Sequence, residues 1–446
     1  MIASKGAIRS MLSAMINYMA YQGYDTQEAA QRFPSLPDSY DCLIDFAHEV
    51  RALPMRSDWR YVEPMAWEDV AREMHPQRMR HETAAPNDAK QRVHAAFIGS
   101  VLGCMLGKPL EIDADMHELK RAGMACGQWP LTDWVSEAFL EKLGRRHPTW
   151  HGTTLGSITC AVPDDDIHYT VLGMLNLERF GSGLSTDGVR QIWQRHQNIN
   201  YTWGAERAIM TRIAVSFLND HAMPPLTVEE YALWAETINP TAESCGAAIR
   251  ADAYGYAFPG RPDEAARLAF IDASFTHRRT GVYSAMFIAA ALAVMPMVAD
   301  PMAAFEAALD YVPQNSRFYE ITRSCMDIVA QAGGFEEAYE QIHARYSLYR
   351  HCHVYQEIGT LINTLKHAES IWHGVCLQVM QGGDTDSFGA TAGSLLGMRF
   401  GPAGHDADRV KQLHDTIRLD LLDFPPMTLD ALATRMSKLS TDVLQR

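Results

Sequence analysis

The sequence predicts an all-α fold, and three observations support this prediction. Apolar residues recur at intervals of three and four, with abundant alanine, in segments such as YSAMFIAAALAVM and GFEEAYEQIHARY, which is the spacing of one helix face. Alternating runs of β-branched residues, typical of strands, are almost absent. Prolines stand where helices are expected to begin or break, at Pro240, Pro262, Pro301 and Pro313.

A polar segment divides the chain into two unequal parts. Residues 76–91 contain Pro76 and Pro86 and few large aliphatic side chains, so we expect a linker there. Residues 1–75 then form a small helical N-terminal extension, and residues 92–446 form the main domain.

Composition and net charge indicate which partners and which cellular compartment to expect. The chain has 446 residues and a formal net charge of −15, which argues against nucleic acid as a partner. Eight cysteines show no C-x-x-C spacing, so we expect free thiols in a reducing, cytoplasmic compartment. The start of the chain lacks the features of a signal peptide. The most apolar run, Val282–Ala299, is expected to be a buried core helix, so no membrane partner is predicted.

The segment PDDDIHYT contains three consecutive acids, Asp164, Asp165 and Asp166. Adjacent carboxylates repel one another unless water or cations screen them. One interpretation is a solvated turn, or an N-cap for a helix beginning near Ile167. The other is a set of oxygen ligands for a hard divalent cation such as Mg²⁺ or Mn²⁺.

A second acidic motif, GGDTDS, lies near the C-terminus. Asp384 and Asp386 are two residues apart and point to the same side of an extended loop, and Ser387 adds a hydroxyl oxygen. Glycines then recur every fourth residue, and a matching series occurs near the start of the main domain. We expect the two series to allow close helix packing; they are Gly389, Gly393, Gly397 and Gly401, and Gly99, Gly103 and Gly107.

Five segments in a fixed order resemble the ADP-ribosylglycohydrolase family, which includes the dinitrogenase reductase-activating glycohydrolases. They are the glycine motif Gly99–Glu111, PDDDIHYT, GAAIRAD, FTHRRTGVYSAMFIAAALA and GGDTDSFGATAGSLLG. The resemblance covers residues 91–422. It implies a compact, orthogonal helical bundle with a binuclear centre of two Mg²⁺ or Mn²⁺ ions. The implied reaction is hydrolysis of the N- or O-glycosidic bond at C1″ of an ADP-ribosyl group.

The resemblance also implies roles for individual residues. The family's metal ligands fall on Asp164, Asp165, Asp166, Asp384, Asp386 and Ser387. Glu111 closes the first glycine motif and is the candidate for gating or acid–base catalysis, with a helix cap or a surface glutamate as the alternative. Asp165 is a candidate general base, although the order of residues does not decide which member of the cluster acts.

Three departures from the family pattern indicate a divergent branch. An aspartate replaces the usual threonine at the start of the first acidic motif, Cys104 follows Gly103 in place of an aspartate, and Cys245 replaces an asparagine before Gly246.

Candidate substrate-binding residues are Gly107, Arg250, His277, Gly383 and Thr385. Arg250 could bind a substrate phosphate or form a buried ion pair with Asp252 or another acid. His277 could contact ribose or have a structural role.

Other residues are expected to be structural. Trp203 and Tyr283 are expected to pack in the core, with an aromatic wall for a nucleobase as the alternative. The triplet His351–His353 resembles a weak zinc-binding spacing, but no second ligand pair stands near it in the sequence, so we predict no zinc site there.

The leading hypothesis is a metal-dependent glycohydrolase acting on an ADP-ribosylated protein or a small ADP-ribosyl compound. A second hypothesis keeps the metals but takes another ribosyl N-glycoside, such as a nucleoside-like metabolite. A third is a non-enzymatic binding or immunity protein against an ADP-ribosylating toxin, with the N-terminal extension blocking the toxin.

Overall fold

The structure is a computed structural model that describes residues 3–78, 84–216, 225–349, 351–404 and 406–442. Within these ranges it contains helices and isolated bridges but no strand, which confirms the all-α prediction. The helices are α1 Lys5–Tyr21, α2 Gln27–Arg32, α3 Tyr40–Arg51, α4 Trp67–Glu73, α5 Ala89–Gly107, α6 Met116–Cys126, α7 Glu137–Leu143, α8 Asp165–Phe180, α9 Thr186–His196, α10 Gly204–Ser216, α11 Val228–Glu236, α12 Asp252–Ala257, α13 Pro262–Ala273, α14 Thr280–Val294, α15 Pro301–Leu309, α16 Arg317–Gln331, α17 Phe335–Arg345, α18 Tyr355–His367, α19 Ile371–Met380, α20 Thr385–Phe400, α21 Ala407–Gln412, α22 Leu429–Ser437 and α23 Leu439–Asp442.

Two apolar helices run through the centre of the main domain. The segments Ala89–Leu110 and Thr280–Met297 are long and apolar enough to cross a membrane, but both are almost entirely buried inside the protein. Every residue of α14 is buried. Its alanines, together with Phe287, Ile288 and Leu292, make the helix apolar on all of its faces. The expectation of a core helix in the most apolar part of the chain is therefore confirmed.

The two glycine series pack α5 directly against α20. A methyl group added to Gly103 would lie 1.9 Å from the carbonyl oxygen of Gly389, and one added to Gly393 would lie 2.0 Å from that of Gly99. Only glycine permits backbones to approach this closely. The packing prediction is confirmed for these residues, whereas Gly401 has a φ of +63° and ends α20. This contact fixes the start of α20 beside the end of α5, where the candidate site lies.

The N-terminal extension has a hydrophobic cluster of its own. The cluster is formed by α1, α2 and α3 and includes Ile8, Leu12, Leu43 and Phe46. By contrast, Val70 of α4 belongs to the core of the main domain.

Buried ion pairs join this extension to the main domain. The Arg317 guanidinium donates to Glu63 of the extension at 2.9 Å and to Glu243 at 2.7 Å. Of the expected linker, residues 79–83 lie outside the described residues, and α5 already begins at Ala89. The domain boundaries stay a prediction.

Candidate metal centre

The first acidic motif forms the start of α8. Asp164 is the N-cap, and its side chain accepts a hydrogen bond of 3.1 Å from the backbone N–H of Asp166. The helix therefore begins at Asp165, two residues before the expected start near Ile167. Capping and the supply of clustered carboxylates are both properties of this segment, so the two interpretations of the motif are compatible.

The second acidic motif forms the start of α20. Gly382 and Gly383 have φ values of +76° and +74°, and this turn leads into the N-cap residue Asp384. Asp386 lies in the first helical turn, where its carboxylate accepts a 3.0 Å hydrogen bond from the backbone N–H of Ser387. Both motifs thus present carboxylates at helix N-termini, where the backbone N–H groups favour negative charge.

Carboxylates of the two motifs lie around one space, since Asp165 and Asp166 line the same cavity as Asp384 and Asp386. Ligand atoms of Glu111, Asp384 and Asp386 lie within 4.8 Å of one another, as do those of Cys104, Asp164 and Asp166. Asp166 is 2% exposed, and neither of its carboxylate oxygens has a hydrogen-bond partner among the described residues. Burying a carboxylate without a partner is costly.

The shifted pKa values of these carboxyl groups also indicate that the centre lacks compensating positive charge. Burial raises the pKa of Asp166 well above its usual range, and the charges of Asp164 and Asp386 raise it further. Burial and the same kind of repulsion raise the pKa of Asp386 to about 8. A set of oxygen ligands suits a hard divalent cation. The residues present therefore fit Mg²⁺ or Mn²⁺.

Glu111 lies at the edge of this centre, where it is a half-buried residue and the C-cap of the short 3₁₀ turn Lys108–Leu110. It shares a hydrogen bond with Asp386. Its Oε2 also lies 3.3 Å from Nε2 of His147. Burial, together with the charges of Asp386 and Asp384, raises the pKa of Glu111 far above its usual range. Burial and the neighbouring carboxylates thus favour the protonated form of Glu111.

Lys108 is a member of the centre that was not predicted from the sequence. Its ammonium contacts the Asp164 carboxylate, and the two side chains are 6% and 1% exposed. The residue stands within the first glycine motif, but the motif alone does not show that its side chain turns toward the acids.

A cavity of about 180 Å³ opens onto the centre. Asp164, which is buried and paired with Lys108, does not line it. The predicted site residues that line it are Glu111, Asp165, Asp166, His277, Asp384, Asp386 and Ser387. The structure thus gathers most of the predicted catalytic and metal-binding residues around one space, while their individual roles stay predictions.

Trp203 lies at the rim of this cavity. It is 54% exposed, and its indole N–H donates to Asp165 at 3.3 Å. The expectation that Trp203 packs in the core is therefore wrong, because Gly204 begins α10 immediately after it and leaves the ring on the surface. Tyr283 is fully buried and donates to the carbonyl oxygen of Pro64 at 2.5 Å, as expected for a core residue.

Arg250 forms a buried ion pair, which was one of its two expected roles. It donates to Glu206 at 2.9 Å and also pairs with the Asp272 carboxylate, so its partners differ from the suggested Asp252. Arg250 does not line the cavity, but Glu206 does. Burial raises the pKa of Glu206 to about 7, although the Arg250 charge opposes this shift.

His277 lines the cavity next to this ion pair. Its Nδ1 lies 2.7 Å from the Thr276 hydroxyl and 3.6 Å from Oε1 of Glu206. Burial, with the charges of Arg250 and Arg278, lowers the pKa of His277 well below its usual value. The neutral imidazole is therefore available as a hydrogen-bonding group.

The other three candidate substrate-binding residues lie outside the cavity lining. The Thr385 hydroxyl donates to the carbonyl oxygen of Gly107 at 2.8 Å, inside the contact between α20 and α5. Gly383 donates from its backbone N–H to Ala114 at 2.9 Å and faces a different surface depression. Their substrate-binding roles stay predictions.

The all-α fold and the pocket of buried carboxylates define a protein suited to holding hard cations beside a small ligand. The chain belongs to the ADP-ribosylglycohydrolase family, whose model matches residues 85–441. The resemblance inferred from the motifs is thereby confirmed. Membership indicates a hydrolase acting on ADP-ribosyl compounds.

A solved structure described as an ADP-ribosylglycohydrolase-related protein complex is similar in fold. The TM-score is 0.51 at 16% sequence identity, and the match covers 80% of this chain and 100% of that chain. At this identity the similarity concerns the fold alone. No curated protein matches the sequence.

Proposed function

We propose that the protein is a metal-dependent glycohydrolase that cleaves the C1″ glycosidic bond of an ADP-ribosyl group. The observation that carries the proposal is the Asp166 carboxylate, which is buried at the cavity wall with both oxygens unpartnered among the described residues. Together with Asp164, Asp384 and Asp386 it concentrates negative charge that divalent cations would compensate. Asp165 and Ser387 complete the proposed ligand set.

Divalent cations bound to these residues would orient ribose hydroxyls and lower the pKa of a water molecule. The protein's own groups supply the remaining functions. The Glu111 carboxyl group lines the cavity and is the proposed proton donor to the leaving group, as cleavage through an oxocarbenium-like state requires. Asp165 also lines the cavity, half-buried and hydrogen-bonded to Trp203, and is the proposed acceptor of a proton from water.

The size of the cavity limits what it encloses. Its volume of about 180 Å³ is below the roughly 300–1,000 Å³ of sites that enclose drug-sized ligands. The cavity therefore accommodates the reacting ribose, with the rest of an ADP-ribosyl group extending past the exposed face of Trp203. Aromatic faces of this kind suit stacking against a nucleobase.

The same volume favours a second candidate function. A small ribosyl N-glycoside would fit the cavity with less of the ligand left outside. This candidate uses the same carboxylates and the same cations, so only a comparison of substrates distinguishes it. The third hypothesis, a toxin-binding protein, stays a prediction, as do the cytoplasmic location and the choice between Mg²⁺ and Mn²⁺.

The test is a substrate panel assayed with and without divalent cations. ADP-ribosyl-arginine, ADP-ribosyl-serine and a set of nucleosides are incubated with the protein in EDTA, Mg²⁺ or Mn²⁺, and released ribosyl product is quantified. We expect cation-dependent release from at least one ADP-ribosyl compound, and loss of release in the double variant Asp384→Ala, Asp386→Ala. Cleavage of nucleosides alone would favour the second candidate. Failure to cleave any member of the panel would contradict the proposal.

The matched control is Asp406→Ala combined with Asp408→Ala, which removes two acids with the same spacing at the start of α21, the half-buried N-cap Asp406 and the exposed Asp408. This control should cleave at the rate of the unmodified protein. An equal loss in both double variants would show that the acids of the centre have no specific role.

A further inference from the structure

Two thiols border the cavity beside the carboxylate centre. Cys245 begins the 3₁₀ turn Cys245–Arg250 and is buried, whereas Cys352 precedes α18 and is half-buried. A backbone hydrogen bond of 3.1 Å from the Cys245 N–H to the Cys352 carbonyl joins the two segments. Both cysteines line the same cavity as Asp384.

The distances between these side chains match those between ligands of a tetrahedral metal site. Sγ of Cys245 lies 3.2 Å from Oδ2 of Asp384, and Sγ of Cys352 lies 3.5 Å from the same oxygen. All three ligand atoms lie within 4.8 Å of one another. With Zn–S distances of about 2.3 Å and Zn–O distances of about 2.0 Å, tetrahedral ligand atoms are separated by roughly 3.5 Å.

Asp384 has a carboxylate oxygen that is left without a partner in the described part of the chain. The residue is 3% exposed, and its second oxygen, Oδ1, has no hydrogen-bond partner among the described residues. The neighbouring His351 is similar, because its buried Nδ1 also lacks a partner within that part of the chain. Buried polar atoms of this kind are rare unless a ligand or water completes them.

The segment that carries Cys352 is held in place before any ligand binds. The carboxylate of Glu357 accepts hydrogen bonds from the backbone N–H groups of Cys352 at 2.6 Å and of Val354 at 2.9 Å. Both residues have positive φ values, +62° and +72°, which non-glycine residues rarely adopt. Such conformations persist where the surroundings fix them, and they cluster at ligand sites.

We propose that Cys245, Cys352 and Asp384 form a binding site for one thiophilic divalent cation, with Zn²⁺ as the best match. Thiolates favour Zn²⁺, whereas the all-oxygen centre beside them favours Mg²⁺ or Mn²⁺. The proposal departs from the expectation of no zinc site at His351–His353, which considered only the local spacing of that triplet. The second and third ligands come from distant parts of the sequence, so the local spacing around Cys352 does not reveal them.

The test of this site does not depend on the proposed hydrolysis, because metal binding is measured without a substrate. The site is nevertheless adjacent to the proposed substrate site. Asp384 belongs to both groups, so a cation held by the thiols would lie at the wall of the cavity in which the ribose is proposed to bind.

The test uses the full-length, reduced, metal-free protein titrated with Co²⁺, which reports thiolate coordination by charge-transfer absorption in the near ultraviolet. We expect absorption that saturates at one equivalent and disappears when Zn²⁺ is added, but not when Mg²⁺ is added. Cys245→Ser and Cys352→Ser should each abolish the absorption. The control variants Cys42→Ser and Cys126→Ser change half-exposed thiols elsewhere in the chain and should keep it.

A second measurement needs no variant and therefore does not depend on the folding of one. The unmodified protein is alkylated with iodoacetamide, and the modified cysteines are identified by mass spectrometry. Zn²⁺ at ten times its dissociation constant should slow alkylation of Cys352 about tenfold, whereas Mg²⁺ should not. Absence of thiolate-to-cobalt absorption, its persistence in both serine variants, or equal alkylation with and without Zn²⁺ would each overturn the proposal.

Discussion

The ammonium of Lys108 contacts the carboxylate of Asp164 inside the candidate metal centre, and both side chains are buried. Burial alone would lower the pKa of Lys108, but the charges of Asp164 and Asp386 raise it above its usual value. The lysine therefore stays charged and compensates one acid of the first motif. Asp166, two residues along the chain, has no such compensation.

Removing Lys108 should make the stability of the folded protein depend on added divalent cations. In Lys108→Met, a buried Asp164 charge loses its partner, which typically costs about 3–5 kcal/mol. We expect a loss of that size in the free energy of unfolding in EDTA, and recovery of most of it in saturating Mn²⁺. Denaturant titration measures both values.

The matched control for this variant is Lys411→Met, which breaks an exposed ion pair with Asp408. Exposed pairs contribute about 0–1 kcal/mol, so the control should change little in either condition. If Lys108→Met were as stable as the unmodified protein in EDTA, the buried ion pair would have no energetic role.

Replacing Asp166 should stabilise the folded protein when cations are absent and weaken its stabilisation by cations when they are present. In EDTA at neutral to alkaline pH, Asp166→Asn removes a carboxylate with two unpartnered oxygens among like charges, so we expect stabilisation of about 1–3 kcal/mol. The same change removes a proposed ligand and should abolish most of the stabilisation by Mn²⁺. Thermal unfolding with and without Mn²⁺ tests both parts.

Asp69→Asn serves as the comparison, because Asp69 is exposed and pairs only with Arg72 among the ion pairs of the described residues. Its response to Mn²⁺ should equal that of the unmodified protein. Destabilisation of Asp166→Asn in EDTA would show that the carboxylate is satisfied without a cation.

Asp252 predicts a pH dependence that is separate from the metal centre. Burial raises its pKa to about 7, although hydrogen bonds from Ser394 and Tyr256 oppose the shift. In the unfolded chain the pKa is about 3.9, so between these values the folded state binds more protons than the unfolded state. Stability should therefore fall as pH rises from about 4 to about 7.

Asp252→Asn removes this titrating group and should reduce the loss of stability between about pH 4 and about pH 7. The measurement is the free energy of unfolding across that pH range, in EDTA for both proteins, so that the carboxylates of the metal centre contribute equally. An unchanged slope in the variant would mean that Asp252 does not titrate in this range.

Because α5 and α20 approach so closely, adding a single methyl group between them should destabilise the protein. In Gly103→Ala the new Cβ would lie 1.9 Å from the carbonyl oxygen of Gly389, so the two backbones must separate. Overpacking of this kind typically costs about 1–3 kcal/mol, and we expect the upper end because the new Cβ meets rigid backbone atoms of Gly389 and Ala390. Because the contact positions Asp384 and Asp386, the affinity for Mn²⁺ should fall as well.

Gly6→Ala provides the control, since Gly6 is exposed in the first turn of α1 and an added Cβ there meets no atom within 4 Å. Alanine is favoured over glycine inside a helix by roughly 0.5–1 kcal/mol, so this variant should be slightly more stable. Equal stability changes in the two variants would contradict the packing argument.

The parts of the fold and site that could be predicted are those with local signals in the sequence. Apolar spacing identifies α14, and the two glycine series identify a close helix pair. Asp384 and Asp386 were expected on an extended loop, but Asp384 is the N-cap of α20 and Asp386 lies in its first turn.

What could not be predicted depends on side-chain direction or on long-range packing. Lys108 turns toward Asp164 because of the 3₁₀ turn that it begins, and a short sequence motif does not determine that direction. Cys245 meets Cys352 only because two distant segments share a backbone hydrogen bond. Trp203 was expected in the core because large aromatic residues are usually buried, whereas here it stands at a cavity rim.

The central claim is that two acidic motifs, distant in the sequence, hold divalent cations in one cavity. The most direct test is an anomalous difference map from crystals of the full chain soaked in Mn²⁺. The account predicts an anomalous peak within about 2.0–2.6 Å of carboxylate oxygens from both motifs, with Asp166 and Asp386 among the ligands. Fully ordered carboxylates with no anomalous peak between the motifs, at a Mn²⁺ concentration that saturates binding in solution, would contradict it.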